Sequence, residues 1–215
     1  MDIYLVRHGE SVGNTIPGYS WCDPELSERG HVQAKLLAEE LNGINFTKIF
    51  SSPLLRTVQT ISYTAKNHPD GPAVIELLPE LMEVGTNPDY PGAPRNELFE
   101  IYDKLIIRSS SDTTKGSDVL GDEKTPEIRM QRAKRVVKYL KENFSDDDTI
   151  LISAHGTFNN YLLLAMLDFD YNIGFNFSQH NACISLVRYF VENGIDRTKA
   201  VFINNTRHLS KDLLT

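Results

Sequence analysis

The chain has 215 residues, 40% of them hydrophobic, with a formal net charge of −7 and a sequence pI near 5.4. That length and apolar content suit one α/β domain with a full core and exclude a disordered chain. The acidic balance argues against a general nucleic-acid binder, whose footprint is a basic patch, but leaves room for an anionic substrate held by a few arginines in a cleft. Two cysteines, Cys22 and Cys183, are too few for a disulfide scaffold and stand in no zinc-ligand spacing. They are expected as reduced thiols in or near the core. Charged residues follow Met1–Val6 at once, and no apolar run approaches about 18 residues. A cytoplasmic protein with no membrane or nucleic-acid partner is expected.

Ile3–Val6 reads as a buried first strand that stops at Arg7-His8-Gly9. Ser27 is placed to cap a helix carrying Val32, Leu36, Leu37 and Leu41, which ends at Asn42-Gly43. Lys48–Ser51 is a second strand, and Ser52-Pro53 starts the next helix. Val74–Leu78 reads as a third strand. From Thr86 to Lys124 the periodicity weakens, with Pro88, Pro91, Gly92 and Pro94 and then a run of serines. An insertion or cap over about 84–124 is expected, with a helix over Asn96–Ile107. Thr125-Pro126-Glu127 opens a helix to about Asn143, and its Arg129, Arg132, Lys134 and Arg135 read as a solvated face. Thr149–Ser153 is a strongly apolar strand ending at Ala154-His155-Gly156, with a helix over Thr157–Leu167. Cys183–Tyr189 and Ala200–Ile203 close the set as strands. Strands alternating with helices predict a three-layer, doubly wound α/β domain over 1–215, with a mostly parallel sheet flanked by helices.

In open α/β sheets, ligands bind beyond the carboxyl ends of the strands. Two of the six histidines, His8 and His155, fall at such ends, each followed by a glycine that lets backbone N–H groups approach a ligand. His155 also opens a helix, whose N-terminus attracts anions. Arg7 adjoins His8, and Arg56 lies one turn into the helix after the second strand. The planar guanidinium binds phosphate oxygens in bidentate fashion and stays charged. His31 and His68 read as helix-surface residues, and His208 as a tether for the C-terminal segment.

Leu5-Val6-Arg7-His8-Gly9-Glu10-Ser11 resembles the signature of the histidine phosphatase superfamily, the phosphoglycerate mutase-like proteins. Asp23–Ser27 with Gly30, Ser51–Thr60, Leu81-Met82-Glu83, Ser153–Gly156 and Asn205–Leu209 resemble its further blocks in order. The resemblance implies the phosphoglycerate mutase-like fold and a phosphohistidine formed on His8. Arg7, Arg56, His155, Asn14 and Gly156 would hold the phosphate, and Glu83 would act as proton donor and then base. Glu10 reads as a structural carboxylate. Ser11, Trp21 and Asn181 are lesser candidates for substrate contact, with Trp21 placed either at the pocket mouth or in the core; His180 is a further candidate by analogy. With arginines supplying the charge, no metal and no cofactor is expected.

The superfamily contains hydrolases and mutases. The cofactor-dependent mutases follow the acid with an Arg-His-Tyr-Gly-like block, whereas Glu83 is followed by Val84-Gly85-Thr86-Asn87-Pro88. A phosphomonoester hydrolase of the histidine acid phosphatase type, acting on a small phosphorylated metabolite, is therefore the expectation. A phosphoglycerate mutase and a non-catalytic phospholigand-binding module stand as alternatives.

Overall fold

The computed structural model describes residues 1–19, 23–85, 92–108 and 125–215. Its elements are β1 (Asp2–Arg7), α1 (Val12–Thr15), α2 (Glu28–Glu40), β2 (Lys48–Ser51), α3 (Leu55–Lys66) and β3 (Ile75–Leu77). Then come α4 (Arg95–Ile101), β4 (Leu105–Ile107), α5 (Pro126–Asn143), β5 (Thr149–Ala154), α6 (Gly156–Met166), β6 (Ile184–Glu192) and β7 (Ile195–Asn205). The strands of the described residues form one sheet in the order β4-β3-β2-β5-β1-β6-β7. β4, β3, β2, β5 and β1 run parallel, and β6 joins β1 antiparallel before turning into β7.

Alternate residues of the central strands feed two separate cores. Ile3, Leu5, Ile150 and Ile152 pack with Ala133, Val136, Leu140, Phe158 and Leu162 on the α5–α6 face. Val6, Ile49 and Leu151 pack with Leu37, Val58, Ile61 and Leu98 on the α2–α3–α4 face. A strand covered on both faces must be apolar throughout, which is why β1 and β5 read as continuous apolar runs. Each such side chain contributes about 1.5–3 kcal/mol by leaving water. This is the three-layer, mostly parallel α/β arrangement expected from the sequence.

The 84–124 stretch departs from its reading. Its helix ends at Ile101, and Leu105–Ile107 form β4 at the sheet edge, parallel to β3, where a helix to Ile107 was expected. The β-branched Ile106 and Ile107 favour the extended edge, and the Ile75 N–H donates to the Lys104 carbonyl at 3.0 Å to start the ladder. The third helix starts at Leu55, two residues beyond Pro53. No helix of the described residues is long and apolar enough to cross a membrane.

α2 meets the loop after β1 at very close range. A Cβ built on Gly30 would lie 1.9 Å from the Glu10 carbonyl oxygen, so only glycine fits there. Ser27 caps α2 by accepting from the Gly30 N–H at 3.0 Å, and its hydroxyl donates to Glu10 at 2.6 Å. Glu10 also pairs with Arg29 at 3.2 Å, the structural part read for it.

Candidate active site

β1 delivers His8 to the carboxyl edge of the sheet, where its side chain is 4% exposed. Its Nδ1 lies 2.6 Å from the Gly9 carbonyl oxygen. A carbonyl can only accept, so Nδ1 carries the proton and Nε2 presents a lone pair. The backbone around it is fixed from several elements. The His8 N–H donates to Ala154 at 3.1 Å, the His8 carbonyl accepts from the Ala182 N–H and from Asn181 Nδ2, each at 3.1 Å, and the Gly9 N–H donates to Thr60 Oγ1 at 2.9 Å. Burial, and after it the Arg56 and Arg7 charges, push the imidazole well below its ordinary 6.5. At neutral pH the ring is uncharged, as a nucleophile requires.

β5 delivers His155 to the same edge, and the two imidazole centroids stand 5.2 Å apart. Its Nε2 lies 2.9 Å from Ser52 Oγ, while Nδ1 is buried with no hydrogen-bond partner among the described residues. Burial, then Arg56, His8, Arg132 and Arg7, hold this ring well below 6.5 too. Arg7 donates to the Gln179 carbonyl at 2.5 Å and lies against Gly156, where an added Cβ would meet its Nε at 3.2 Å. Gly156 thus lets the guanidinium reach the site. Arg56 is 7% exposed and pairs with Asp23 Oδ1 at 3.4 Å, and the same carboxylate accepts from the Leu55 N–H at 2.9 Å. Asp23 therefore aims Arg56 and satisfies the start of α3 together.

Glu83 closes the other side. Its carboxylate accepts from the N–H groups of Val84 (2.8 Å), Thr157 (3.2 Å) and Phe158 (3.0 Å). The α6 N-terminus, expected from the sequence as an open anion site beside His155, thus holds the protein's own carboxylate at Thr157 and Phe158. The short turn Pro79–Leu81 carries the chain into position, and the buried Arg132 fastens it by donating to the carbonyls of Met82 at 2.8 Å and Glu80 at 3.3 Å. Arg132 is 0% exposed, which corrects its reading as part of a solvated face. It stands four residues before Val136 and eight before Leu140, on the buried stripe of α5, and that spacing is the signal for its burial.

Asn14, Ser11 and Asn181 form one cluster. Asn14 Oδ1 accepts from Ser11 N and Oγ, both at 3.0 Å, and from Asn181 Nδ2 at 3.3 Å. These donors fix the amide orientation and leave Asn14 Nδ2 as the end available to a ligand. Ser11 and Asn181, read as substrate contacts, spend those polar atoms on Asn14 and the His8 carbonyl. His180 bonds Asn204 and Thr215, and His208 Nε2 lies 3.1 Å from the Ala182 carbonyl. Cys183 is buried and unbridged; Trp21 and Cys22 lie outside the described residues.

Two cavities open on either side of Arg7. One, of about 570 Å³, is lined by Glu10, Asn14, Arg29 and Asn181 among others. The other, of about 430 Å³, is lined by residues including Glu83, Gly156, Asn160 and Phe177. Two neutral histidines, the buried guanidinium of Arg56, the half-buried one of Arg7 and a carboxylate thus gather at the carboxyl end of a mostly parallel sheet.

The chain belongs to the histidine phosphatase superfamily (branch 1), whose family model matches residues 3–199. Phosphoserine phosphatase 1 of Hydrogenobacter thermophilus is 52% identical over 59 residues, covering 27% of this chain and 28% of that protein. A 2,3-bisphosphoglycerate-dependent phosphoglycerate mutase of Gloeobacter violaceus is 22% identical over 167 residues, covering 76% of this chain and 74% of that one. The crystal structure of phosphoserine phosphatase from Entamoeba histolytica with 3-phosphoglyceric acid superposes with a TM-score of 0.66 at 22% identity, covering 97% of this chain and 99% of that chain. Members of the superfamily are phosphatases or mutases.

Proposed function

We propose that the chain is a metal-independent phosphomonoester hydrolase that acts on a small phosphorylated metabolite through a phosphohistidine on His8. The observation that carries this is the Nδ1 bond to the Gly9 carbonyl, which leaves a neutral, lone-pair Nε2 beside two guanidiniums. Nε2 attacks phosphorus in line, the N–P bond forms, and the ester P–O bond breaks. Glu83 gives a proton to the departing alcohol. A water then gives a proton to Glu83 and attacks phosphorus, the N–P bond breaks, and inorganic phosphate leaves with His8 neutral again. Arg7, Arg56, His155 and Asn14 bind the equatorial oxygens throughout. Their preorganised charge does what a magnesium ion does in many phosphoryl-transfer enzymes.

The test is to assay wild type and His8→Ala on a panel of phosphomonoesters with EDTA present, and to trap an acid-labile, base-stable phosphoenzyme. Turnover and trapping in wild type, both lost in His8→Ala, are expected. Near-wild-type turnover in His8→Ala would sink the nucleophile assignment, and strong inhibition by EDTA the metal-free one. Efficient isomerisation of 3-phosphoglycerate with 2,3-bisphosphoglycerate would move the reading to the mutase branch.

A further inference from the structure

We propose that the loop from Asp168 to His180 is the leaving-group subsite, and that it selects phosphomonoesters of uncharged, ring-bearing alcohols. This rests on the phosphatase reading above.

The loop has no helix or strand of its own, yet it is tied firmly to α6. Asn160, only 8% exposed, accepts from the Phe177 N–H at 2.8 Å and donates to Asn176 Oδ1 at 3.0 Å. Both polar ends of one buried side chain are thereby spent on holding Phe177 and Asn176 beside Arg7 and Glu83, in the wall of the 430 Å³ cavity. From Phe177 a row of rings leads outward. Phe175 meets it edge-to-face with centroids 5.3 Å apart, and Phe169 meets Phe175 at 5.8 Å. Phe169 (42% exposed), Phe175 (43%) and Ile173 (38%) all reach solvent. A row of exposed rings that starts in the wall of a cavity beside Arg7 and Glu83 offers a binding surface, and aromatic edges of this kind pair with a ligand ring.

The charge of the cavity decides what kind of ring. Among the described residues lining it, Arg7 is the only cation and Glu83 the only acid, and the rest are neutral. Arg7 is engaged by the phosphoryl group in transfer. A second phosphate or a carboxylate on the leaving group would find no further cation among the described residues of the cavity wall, and burying it unpaired disfavours it. Asn176 keeps its amide nitrogen for a hydroxyl or carbonyl of a neutral alcohol.

Steady-state kinetics on alkyl esters of similar leaving-group basicity test this: benzyl phosphate, 2-phenylethyl phosphate, glycerol 3-phosphate, O-phosphoserine and 3-phosphoglycerate. The two aromatic esters are expected to exceed phosphoserine and 3-phosphoglycerate at least about 10-fold in kcat/KM. Phe177→Ala should raise KM for the aromatic esters about 10-fold more than for glycerol 3-phosphate, with kcat held, the mark of lost uniform binding of the ring. Phe177→Leu keeps the apolar bulk against the core and should show the same selective loss should the alanine variant fold poorly. Preference for phosphoserine or 3-phosphoglycerate, or an unmoved aromatic KM in both variants, overturns the subsite while hydrolysis itself stands. No turnover of any ester by wild type overturns the phosphatase reading and the subsite with it.

Discussion

The guanidinium of Arg132 lies over the ring of Phe158, its central carbon 3.9 Å from the ring centroid. The same guanidinium bonds the carbonyl of Met82, and the Phe158 N–H bonds Glu83. One buried cation thus holds both the chain segment that carries Glu83 and the helix turn that receives its carboxylate. Arg132→Met is expected to cost about 3 kcal/mol, because it leaves buried carbonyls unpaired, and so to lower Tm by roughly 6–12 °C. Arg132→Lys should recover part of that stability while kcat stays about 10-fold below wild type, since an ammonium lacks the fork and the flat stack. Wild-type kcat in a folded Arg132→Lys protein would remove Arg132 from the support of Glu83.

Replacing Glu83 by Gln should lower kcat about 10²–10⁴-fold by removing the proposed proton donor. Three backbone N–H groups point at this carboxylate, so an amide must aim its own NH2 at one of them. A small loss of stability, about 1 kcal/mol, should therefore accompany the kinetic defect. Thermal melts beside the rate measurements would show whether both occur.

Acid should weaken the fold through the two buried histidines, His8 and His155. Both are held well below 6.5 in the native protein, while in the unfolded chain they return to that value. Above 6.5 both states are neutral and this contribution is flat. Below it the unfolded chain takes up protons that the native site refuses, so stability falls with acidification at up to about 1.4 kcal/mol per pH unit for each ring. His208, lowered mainly by burial, acts in the same direction. Urea titrations at pH 7.5, 6.0 and 5.0 should show the fall, and His155→Gln should make it shallower.

Two glycines separate stability from activity. Gly30→Ala forces a Cβ into the Glu10 carbonyl and should cost about 3 kcal/mol or more, since neither backbone can yield. Gly156→Ala presses only on the Arg7 guanidinium, which is anchored through Gln179. It should leave Tm nearly unchanged and lower kcat/KM about 10-fold by shifting that cation. Equal effects on melting by both variants would contradict this division.

The strand ends bearing His8 and His155 were legible because fully buried parallel strands are apolar throughout and stop abruptly at polar residues. Glu83 was visible only through its resemblance to a family block; what fixes it, the α6 N-terminus and Arg132, depends on contacts between residues about 50 to 75 positions apart. Arg132 was misread because its neighbours Arg129, Lys134 and Arg135 are charged, and a charge run hides a single inward position. β4 was missed because Leu105–Ile107 is too short to show a period and becomes a strand only by pairing with β3. Asp23 lay in a recognised block, but its bond to Arg56 crosses 33 positions that no local pattern spans.

β1 lies between β5 and β6, so the segment bearing His8 finds its strand partners only at residues 149–154 and 184–188. A chain emerging from the ribosome must therefore hold β1 without these strand partners until residues 149–154 have been made. Closing so long a loop is slow, and an exposed strand invites wrong pairing meanwhile. His8 is therefore made well before either of the strands that set it in place.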